Sequence, residues 1–242
     1  MRRVWDEAFT LYGLIAEFAE MPEDRSYVIF YINPNARFHD GSPITRQDVI
    51  FSLETFQTKG TPNQKKTYGK VIKTELVGQN GIKMIFVNNE DKELPLVIAG
   101  FLPIISKSYY GNLDVTKSFL NIPVGSGPYK ISEVDPGRRI VYSRVKDYWA
   151  KDLPVNKGQY NFNTLTYDYY KDSNVLLEAF KVGEYDYRRE YNAKRWLTGY
   201  DFSAVESGDV ILTEMKNDRP TGMYALATVS YTHLTLPTNR EV

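Results

Sequence analysis

Residues 124–149 read VGSGPYKISEVDPGRRIVYSRVKDYW, and this stretch decides the fold of the chain. Two glycines and Pro128 precede the first apolar run, so the backbone there can adopt angles that other residues avoid. Asp135, Pro136 and Gly137 supply a turn, because proline presets φ and the glycine after it accepts a positive φ. The flanking runs carry Tyr, Ile and Val, which strands prefer. The stretch therefore predicts a β-hairpin.

A second informative stretch lies upstream, where residues 36–52 read ARFHDGSPITRQDVIFS. Thr45 can cap a helix through its hydroxyl, and Asp48 three residues later complements both that cap and the helix dipole. Apolar residues then recur at helical spacing and predict a buried stripe: Val49, Ile50, Leu53 and Phe56. We therefore interpret Asp40 as a turn residue and Asp48 as a cap, not as an acid/base pair.

A third stretch, residues 162–189, predicts a β-α-β unit. Alternating apolar residues indicate a strand up to residue 169, and Asp172 or Ser173 can cap a helix that ends at Gly183. Residues 185–189 are then expected to form a second strand, parallel to the first and joined by a right-handed crossover. Two further expectations are a short helix within residues 8–19 that leads into a strand, and a strand over residues 210–215.

Binding candidates follow this expected second strand, since ligands of open α/β sheets bind at the carboxyl ends of strands. They alternate aromatic and charged side chains: Tyr187, Arg188, Arg189, Glu190, Tyr191 and Asn192, with Tyr185 and Asp186 just before them. Tyrosines could pack on a ligand, one arginine could pair with a carboxylate in a fork geometry, and Glu190 could meet an amine. The alternative for the arginines is a surface ion pair of little energetic value.

Composition narrows the classes of function. The chain has 242 residues, and its 30 Lys and Arg balance its 30 Asp and Glu, which argues against a nucleic-acid binder that relies on bulk basic charge. The absence of cysteine excludes disulfides, thiolate catalysis and cysteine metal sites. No apolar run reaches the length of a membrane span.

Catalytic, metal and cofactor sites are not indicated. His39 beside Asp40 lacks a nucleophile motif, and we interpret it as a turn histidine. Gly125 and Gly127 do not form a phosphate loop, because the Gly-Lys-Ser/Thr ending is missing and a strand follows instead of a helix. The histidines and carboxylates show no metal-ligand spacing. We expect no cofactor and no enzymatic activity.

The three stretches resemble the extracellular solute-binding proteins of family 5, and they occur along the chain in the order found in that family. Members of this family are the oligopeptide- and dipeptide-binding receptors of bacterial ABC importers. The hairpin stretch resembles the family's Pro-Val-Gly-Ser-Gly-Pro-Tyr, Pro-Gly turn and Asp-Tyr-Trp pattern. Residues 36–52 resemble its Phe-x-Asp-Gly-x-Pro-(Val/Ile)-Thr and Asp-Val-x-Phe-Ser signature, and residues 174–186 its helix with Gly-Glu-x-Asp. Residues 5–13 and 219–223 are most similar to the YejA-like branch. The resemblance covers residues 1–226.

The resemblance implies an α/β fold of the periplasmic-binding-protein type II, with two lobes around a cleft. The first lobe would comprise a main subdomain, residues 1–21 and 121–226, and a smaller inserted α+β subdomain, residues 22–120. The implied function is capture of oligopeptides in the periplasm and delivery to an inner-membrane ABC permease, by a protein that is monomeric at full length. The alternatives are a receptor for another solute, such as a sugar or nickel, and a hydrolase.

The resemblance also implies that the chain is a fragment. Family members carry a secretion signal and more mature chain before this point, so Met1 is expected to be an internal methionine. The second lobe, which supplies these receptors' acidic anchor for the peptide amine, is expected to be missing. Residues 227–242 do not resemble the family pattern and are interpreted as a non-native tail.

Overall fold

The computed structural model describes residues 1–4, 7, 10–87, 91–117 and 121–214. The chain divides into two compact units, Met1–Tyr170 and Lys171–Val242. The first unit contains all of the strands found within the described ranges. The tail interpreted above as non-native, residues 227–242, lies outside the described residues.

The N-terminal part of the first unit consists of short strands. Strands β1 (Arg2–Arg3) and β2 (Leu11–Tyr12) pair antiparallel, and β3 (Ala16–Glu20) follows. The helix expected within residues 8–19 is therefore wrong for its described part, residues 10–19, although the strand after it is present. Tertiary pairing overrides the helical preference of alanine and leucine here, because β3 lies against the next strand and Ala16 is buried in the core.

The larger sheet of the described first unit has the strand order β3-β4-β6-β5 and is antiparallel throughout. Its further members are β4 (Tyr27–Ile32), β5 (Val71–Val77) and β6 (Gly81–Phe86). Alternate residues of β4 are buried, as expected of a strand with one face on a core. This sheet supplies one side of the apolar core.

Helices supply the other side. They are α1 (Arg46–Lys59), α2 (Pro62–Tyr68) and α3 (Leu94–Phe101), and a short helix, α4 (Lys107–Tyr110), follows them outside this core. The predicted capping box is confirmed: the Asp48 N–H donates to Thr45 Oγ1 at 3.3 Å, and the Thr45 N–H donates to Asp48 Oδ2 at 2.8 Å. The other oxygen of Asp48 accepts from the Lys107 N–H at 2.8 Å. The same carboxylate therefore holds the starts of α1 and α4.

The core between this sheet and the helices is apolar. Its buried members are Ala16, Val28, Phe30, Ile32, Val49, Leu53, Tyr68, Val71, Ile82, Met84, Phe86, Leu94 and Ile98. Of the predicted α1 stripe, Val49 and Leu53 are buried, while Ile50 and Phe56 are partly buried and pack against this core. Each fully buried aliphatic side chain contributes about 1.5–3 kcal/mol.

The hairpin predicted within residues 124–149 is confirmed. Strands β7 (Tyr129–Asp135) and β8 (Arg139–Arg144) pair antiparallel, and Gly137 in their turn has φ +79°. Strand β9 (Thr164–Asp168) then pairs antiparallel with β8. After the hairpin, Tyr148 is buried against the rings of Trp149 and Tyr160.

The two signature stretches of the first unit contact each other through His39. Its backbone N–H donates to the Gly125 carbonyl at 2.8 Å, and its Nε2 lies 2.9 Å from the Gly127 carbonyl. Since a carbonyl can only accept, Nε2 carries the proton, and the buried Nδ1 has no hydrogen-bond partner among the described residues. Trp149 Nε1 donates to the Ser126 carbonyl at 3.1 Å. Through these hydrogen bonds, His39 holds the loop that precedes the hairpin against residues 36–52.

In its described part, residues 171–214, the second unit has helices as its regular structure: α5 (Ser173–Lys181), α6 (Ala193–Thr198) and α7 (Ser203–Glu206). The strand expected over residues 185–189 does not form, so the predicted β-α-β unit is wrong. The strand expected over residues 210–215 is likewise absent from its described part, residues 210–214. Strand β9 pairs antiparallel with β8, and within the described ranges no strand pairs with residues 185–189. Alternation of side chains is not sufficient for a strand, because a strand also needs a hydrogen-bonded neighbour.

Candidate ligand-binding site

Five of the six candidate residues lie on one irregular segment, residues 186–191, between α5 and α6, and the sixth, Asn192, follows it directly. The helix before it ends as the sequence indicates: the Gly183 N–H donates to the Phe180 carbonyl, and Gly183 has φ +80°. Along the segment, exposure alternates. Tyr187 and Tyr191 are 66% and 84% exposed and Arg189 is exposed, whereas the side chains of Arg188 and Glu190 are only 5% and 4% exposed.

Arg188 is fully occupied inside the unit. Its Nη2 pairs with Glu190 Oε2 at 3.0 Å, its Nε donates to the Tyr200 hydroxyl at 2.9 Å, and its Nη1 donates to the Tyr185 hydroxyl at 3.1 Å. Although burial alone would lower the pKa of Arg188, the hydrogen bonds to Tyr185, Glu190 and Tyr200 hold that pKa above its ordinary value. The guanidinium is therefore a permanent internal cation.

Glu190 is the acceptor of the same network. Its Oε2 accepts from the Tyr200 hydroxyl at 3.2 Å as well as from Arg188, and its Oε1 accepts from the backbone N–H groups of Tyr191 and Asn192 at 3.0 and 2.8 Å. Burial would raise the pKa of this carboxyl, but the hydrogen bonds, foremost that from the Asn192 backbone, lower it to about 2. Glu190 is thus ionised and saturated with donors.

Neighbouring elements lock the network in place. Arg195 on α6 lies 3.5 Å from Glu190 Oε1 and donates to Ser173 Oγ at 2.9 Å, which connects α6 to the start of α5. An aromatic cluster lies beside it, made of Phe180, Tyr185, Trp196, Tyr200 and Phe202, with adjacent ring centroids 5.4–6.5 Å apart. The ion pairs and the aromatic contacts, all within the second unit, therefore hold the segment in place.

The structure divides the six candidate residues into two groups. Tyr187, Arg189 and Tyr191 point outward, away from the ion-pair network. Arg188 and Glu190 point inward, and Asn192 caps α6 by accepting from the Arg195 N–H at 3.0 Å. Only the outward group is accessible to a ligand without breaking internal bonds.

The sequence interpretation missed Arg195 and Tyr200 as members of this site, and it did not foresee that Tyr185 would contact Arg188. One signal was available: Arg188 and Glu190 are two positions apart, so on an extended backbone they share a face and can pair. The contributions of Tyr200 and Arg195 come from another element and could not be inferred from local spacing.

Among the described residues, no group of three or more His, Asp or Glu side chains could hold a metal ion. None of the helices in the described part of the chain is long and apolar enough to cross a lipid bilayer.

Comparison with known proteins identifies the family. The sequence profile of the bacterial extracellular solute-binding proteins, family 5, matches residues 10–239. The chain belongs to this family. The family and its fold are those of solute-binding proteins, which are not enzymes. The motifs in residues 36–52, 124–149 and 174–186 are therefore family 5 motifs, as their resemblance indicated.

Similar family 5 sequences include YejA of Escherichia coli, an uncharacterized protein that is 42% identical over 214 residues, 88% of this chain and 35% of the relative. A protein of Agrobacterium fabrum named probable peptide-binding protein YejA is 37% identical over 90% of this chain and 36% of the relative. The chain thus spans about a third of the length of these relatives, and the resemblance to the YejA-like branch is confirmed.

A solved structure with a similar fold is the oligopeptide-binding protein AppA of Bacillus subtilis, determined in complex with a nonapeptide. The TM-score is 0.64 at 21% identity, covering 78% of this chain and 37% of that one. This likeness confirms the predicted α/β periplasmic-binding-protein fold. The extent of the match is that of a partial domain.

Proposed function

We propose that the chain is part of the substrate-binding component of a bacterial ABC peptide importer. In this role it captures oligopeptides in the periplasm and delivers them to an inner-membrane permease, without catalysis and without a cofactor. The family membership, the peptide-binding name of the Agrobacterium relative and the fold shared with the AppA complex support this proposal. Nucleic acid has no part in the proposal, and the full-length receptor is proposed to act as a monomer.

The observation that carries the proposal is the backbone of the 186–191 segment. Within the described residues, the N–H and C=O groups of residues 186–190 have no hydrogen-bond partner, although the buried Arg188–Glu190 pair holds the segment in place. Unpaired backbone groups on a segment held in this way are the chemistry that an added peptide strand satisfies. Main-chain bonds of this kind bind peptides without strict demands on their side chains.

The six candidate residues have distinct parts in this proposal. The outward residues Tyr187, Arg189 and Tyr191 contact the peptide, whereas Arg188, Glu190 and Asn192 hold the segment in place. We further propose the division predicted from the sequence, with residues 1–21 and 121–226 as the main subdomain of a lobe and residues 22–120 as the smaller one. Peptide capture would then be completed by closure of a second lobe over the first.

Isothermal titration of the complete protein from the reading frame that contains this chain tests the proposal. The ligands are a mixture of random pentapeptides, maltohexaose and a nickel–histidine complex, in separate titrations. Binding of the pentapeptides with a dissociation constant of about 1 μM, about −8 kcal/mol, and no heat from the other ligands, is expected.

A matched variant locates the contact. Replacement of Arg189 by proline removes one unpaired backbone N–H as well as the side chain, and we expect it to weaken pentapeptide binding at least tenfold, which is about 1.4 kcal/mol. Asp186→Asn is the control, because it leaves the backbone intact at a neighbouring exposed position and should change little. Binding of sugar or nickel in preference to peptides would refute the proposal.

A further inference from the structure

We infer that Arg189 binds a carboxylate of the ligand, so that the site selects peptides bearing a negative charge opposite this residue. This inference rests on the proposed function and narrows its substrate class. It starts from a difference between two adjacent arginines: Arg188 is neutralised by Glu190, while Arg189 is exposed and makes no ion pair within the described ranges.

The buried pair distinguishes Arg188 from Arg189. Removing two charges from water is costly, and a buried ion pair is often no more stabilising than apolar residues of the same volume. A buried pair does fix geometry, because any shift leaves a charge without its partner. Arg188 and Glu190 flank Arg189 and are both buried in this network, whereas Arg189 is exposed.

The network also removes Glu190 as a partner for the ligand. Both of its carboxylate oxygens already accept hydrogen bonds from Arg188, Tyr200 and two backbone N–H groups. A ligand amine would have to displace these donors. The outward face of the segment therefore presents a cation without an accompanying anion between residues 187 and 191, which favours an anionic ligand group.

The flanking tyrosines define the rest of the surface. Tyr187 and Tyr191 lie two positions before and after Arg189, and like Arg189 both are exposed. Exposed tyrosine rings offer apolar faces for side chains of a bound peptide. Arg189, by contrast, presents a planar fork that matches a carboxylate through paired hydrogen bonds. The surface thus fits a peptide whose carboxylate lies between two apolar side chains.

Titration with matched peptides tests this inference. The probes are Ala-Phe-Glu-Phe-Ala amide, its Gln counterpart Ala-Phe-Gln-Phe-Ala amide, and the Gln peptide with a free terminal carboxylate. Each is titrated into the complete protein of this reading frame, both wild type and Arg189→Gln. We expect the wild type to prefer a carboxylate-bearing peptide about tenfold over the Gln amide, and Arg189→Gln to bring that ratio to about one.

Two further variants serve as controls. Lys194→Gln removes another exposed cation of the same unit and should leave the preference intact, and Arg189→Lys should keep part of it because the charge remains. The Glu peptide and the free-carboxylate peptide distinguish a side-chain from a terminal carboxylate as the source.

The outcomes separate the inference from the proposed function. If the wild type binds all three peptides equally, or Arg189→Gln keeps the preference, peptide binding stands and the role of Arg189 is refuted. If the wild type binds none of them, the proposed function fails and the inference fails with it.

Discussion

The two units are stabilised in contrasting ways. In the first, a sheet and helices enclose a continuous apolar core that includes Leu53, Ile82 and Met84. In the second, the best-buried side chains include the charged pair Arg188 and Glu190, surrounded by aromatic rings. An apolar core gives stability from burial and tolerates small shifts, whereas an ion-pair network gives less net stability but fixes one geometry. The first unit therefore has the properties of a stable scaffold, and the second unit holds one segment in a fixed geometry.

The largest effect should come from the apolar core. Leu53 on α1 is 1% exposed, so Leu53→Ala removes buried methyl groups and leaves a cavity. We expect a loss of about 2–5 kcal/mol in the free energy of unfolding of the first unit. Hydrogen exchange measured by mass spectrometry on the amides of β4 and β6 reports this loss.

Leu76→Ala on β5 is the matched control, since this leucine is half exposed and should cost less than about 1 kcal/mol. Equal losses for the two leucines would contradict the assignment of this core.

The ion-pair network should show the next largest effect, and its size should depend on pH. The folded-state pKa of Glu190 is about 2, against an ordinary value of 4.5. A lowered pKa means stability that is fully present above pH 4.5 and is lost as pH falls toward 2. The difference of about 2.5 pH units corresponds to about 3 kcal/mol, and Glu190→Gln should lose a similar amount at pH 7.

Hydrogen exchange of the α5 and α6 amides, corrected for intrinsic rates, measures this difference between pH 7 and pH 2.5. The gap between wild type and Glu190→Gln should be constant from pH 7 to about pH 5 and shrink below it. Glu184→Gln is the control, because Glu184 is exposed and should change stability by less than about 0.5 kcal/mol. A gap that persists at pH 2.5 would show that the ionised carboxylate is not the cause.

The sequence predicted those elements whose determinants are local. The cap of α1 depends on Thr45 and Asp48, three residues apart, and the hairpin turn depends on Gly137, so short windows contain the necessary information. The family motifs added the fold class. Residues 185–189 show the limit: their alternation indicates an extended backbone, but whether that backbone pairs with a strand depends on distant residues.

The candidate site was predicted as a location but not as a division of roles. Alternating Tyr, Arg and Glu residues marked the segment, yet the sequence gives no reason to choose Arg188 over Arg189 as the internal cation. That choice depends on Tyr200 and Arg195, which approach from beyond the segment. A hydrogen-bond network that includes residues from outside the segment cannot be deduced from residue spacing within the segment.

A smaller loss of stability should follow from removing the hydrogen bond of the His39 side chain in the first unit. His39→Ala removes the donor to the Gly127 carbonyl and should cost about 1–3 kcal/mol. Gly125→Ala would place a Cβ 3.1 Å from the His39 ring and should cost about 1 kcal/mol or more. Because both substitutions act on the same contact, the double variant should lose less stability than the sum of the two single losses, by at least about 0.5 kcal/mol. Hydrogen exchange of the β7 and β8 amides measures the loss of stability in all three variants. Strict additivity of the losses would mean that the His39 ring and residue 125 do not interact.

The smallest effect should come from the helix cap, which acts only at the end of one element. Thr45→Ala removes the acceptor for the Asp48 N–H and should destabilise α1 by about 1 kcal/mol. Thr58→Ala on the same helix makes the same chemical change in the last turn, where alanine has the higher helix propensity, so it should be neutral or stabilising. Exchange of the first-turn amides of α1 distinguishes the two variants. If Thr45→Ala proved as harmless as Thr58→Ala, the second bond of the Asp48 carboxylate, to the Lys107 N–H, would be sufficient to hold the start of α1 without the threonine hydroxyl.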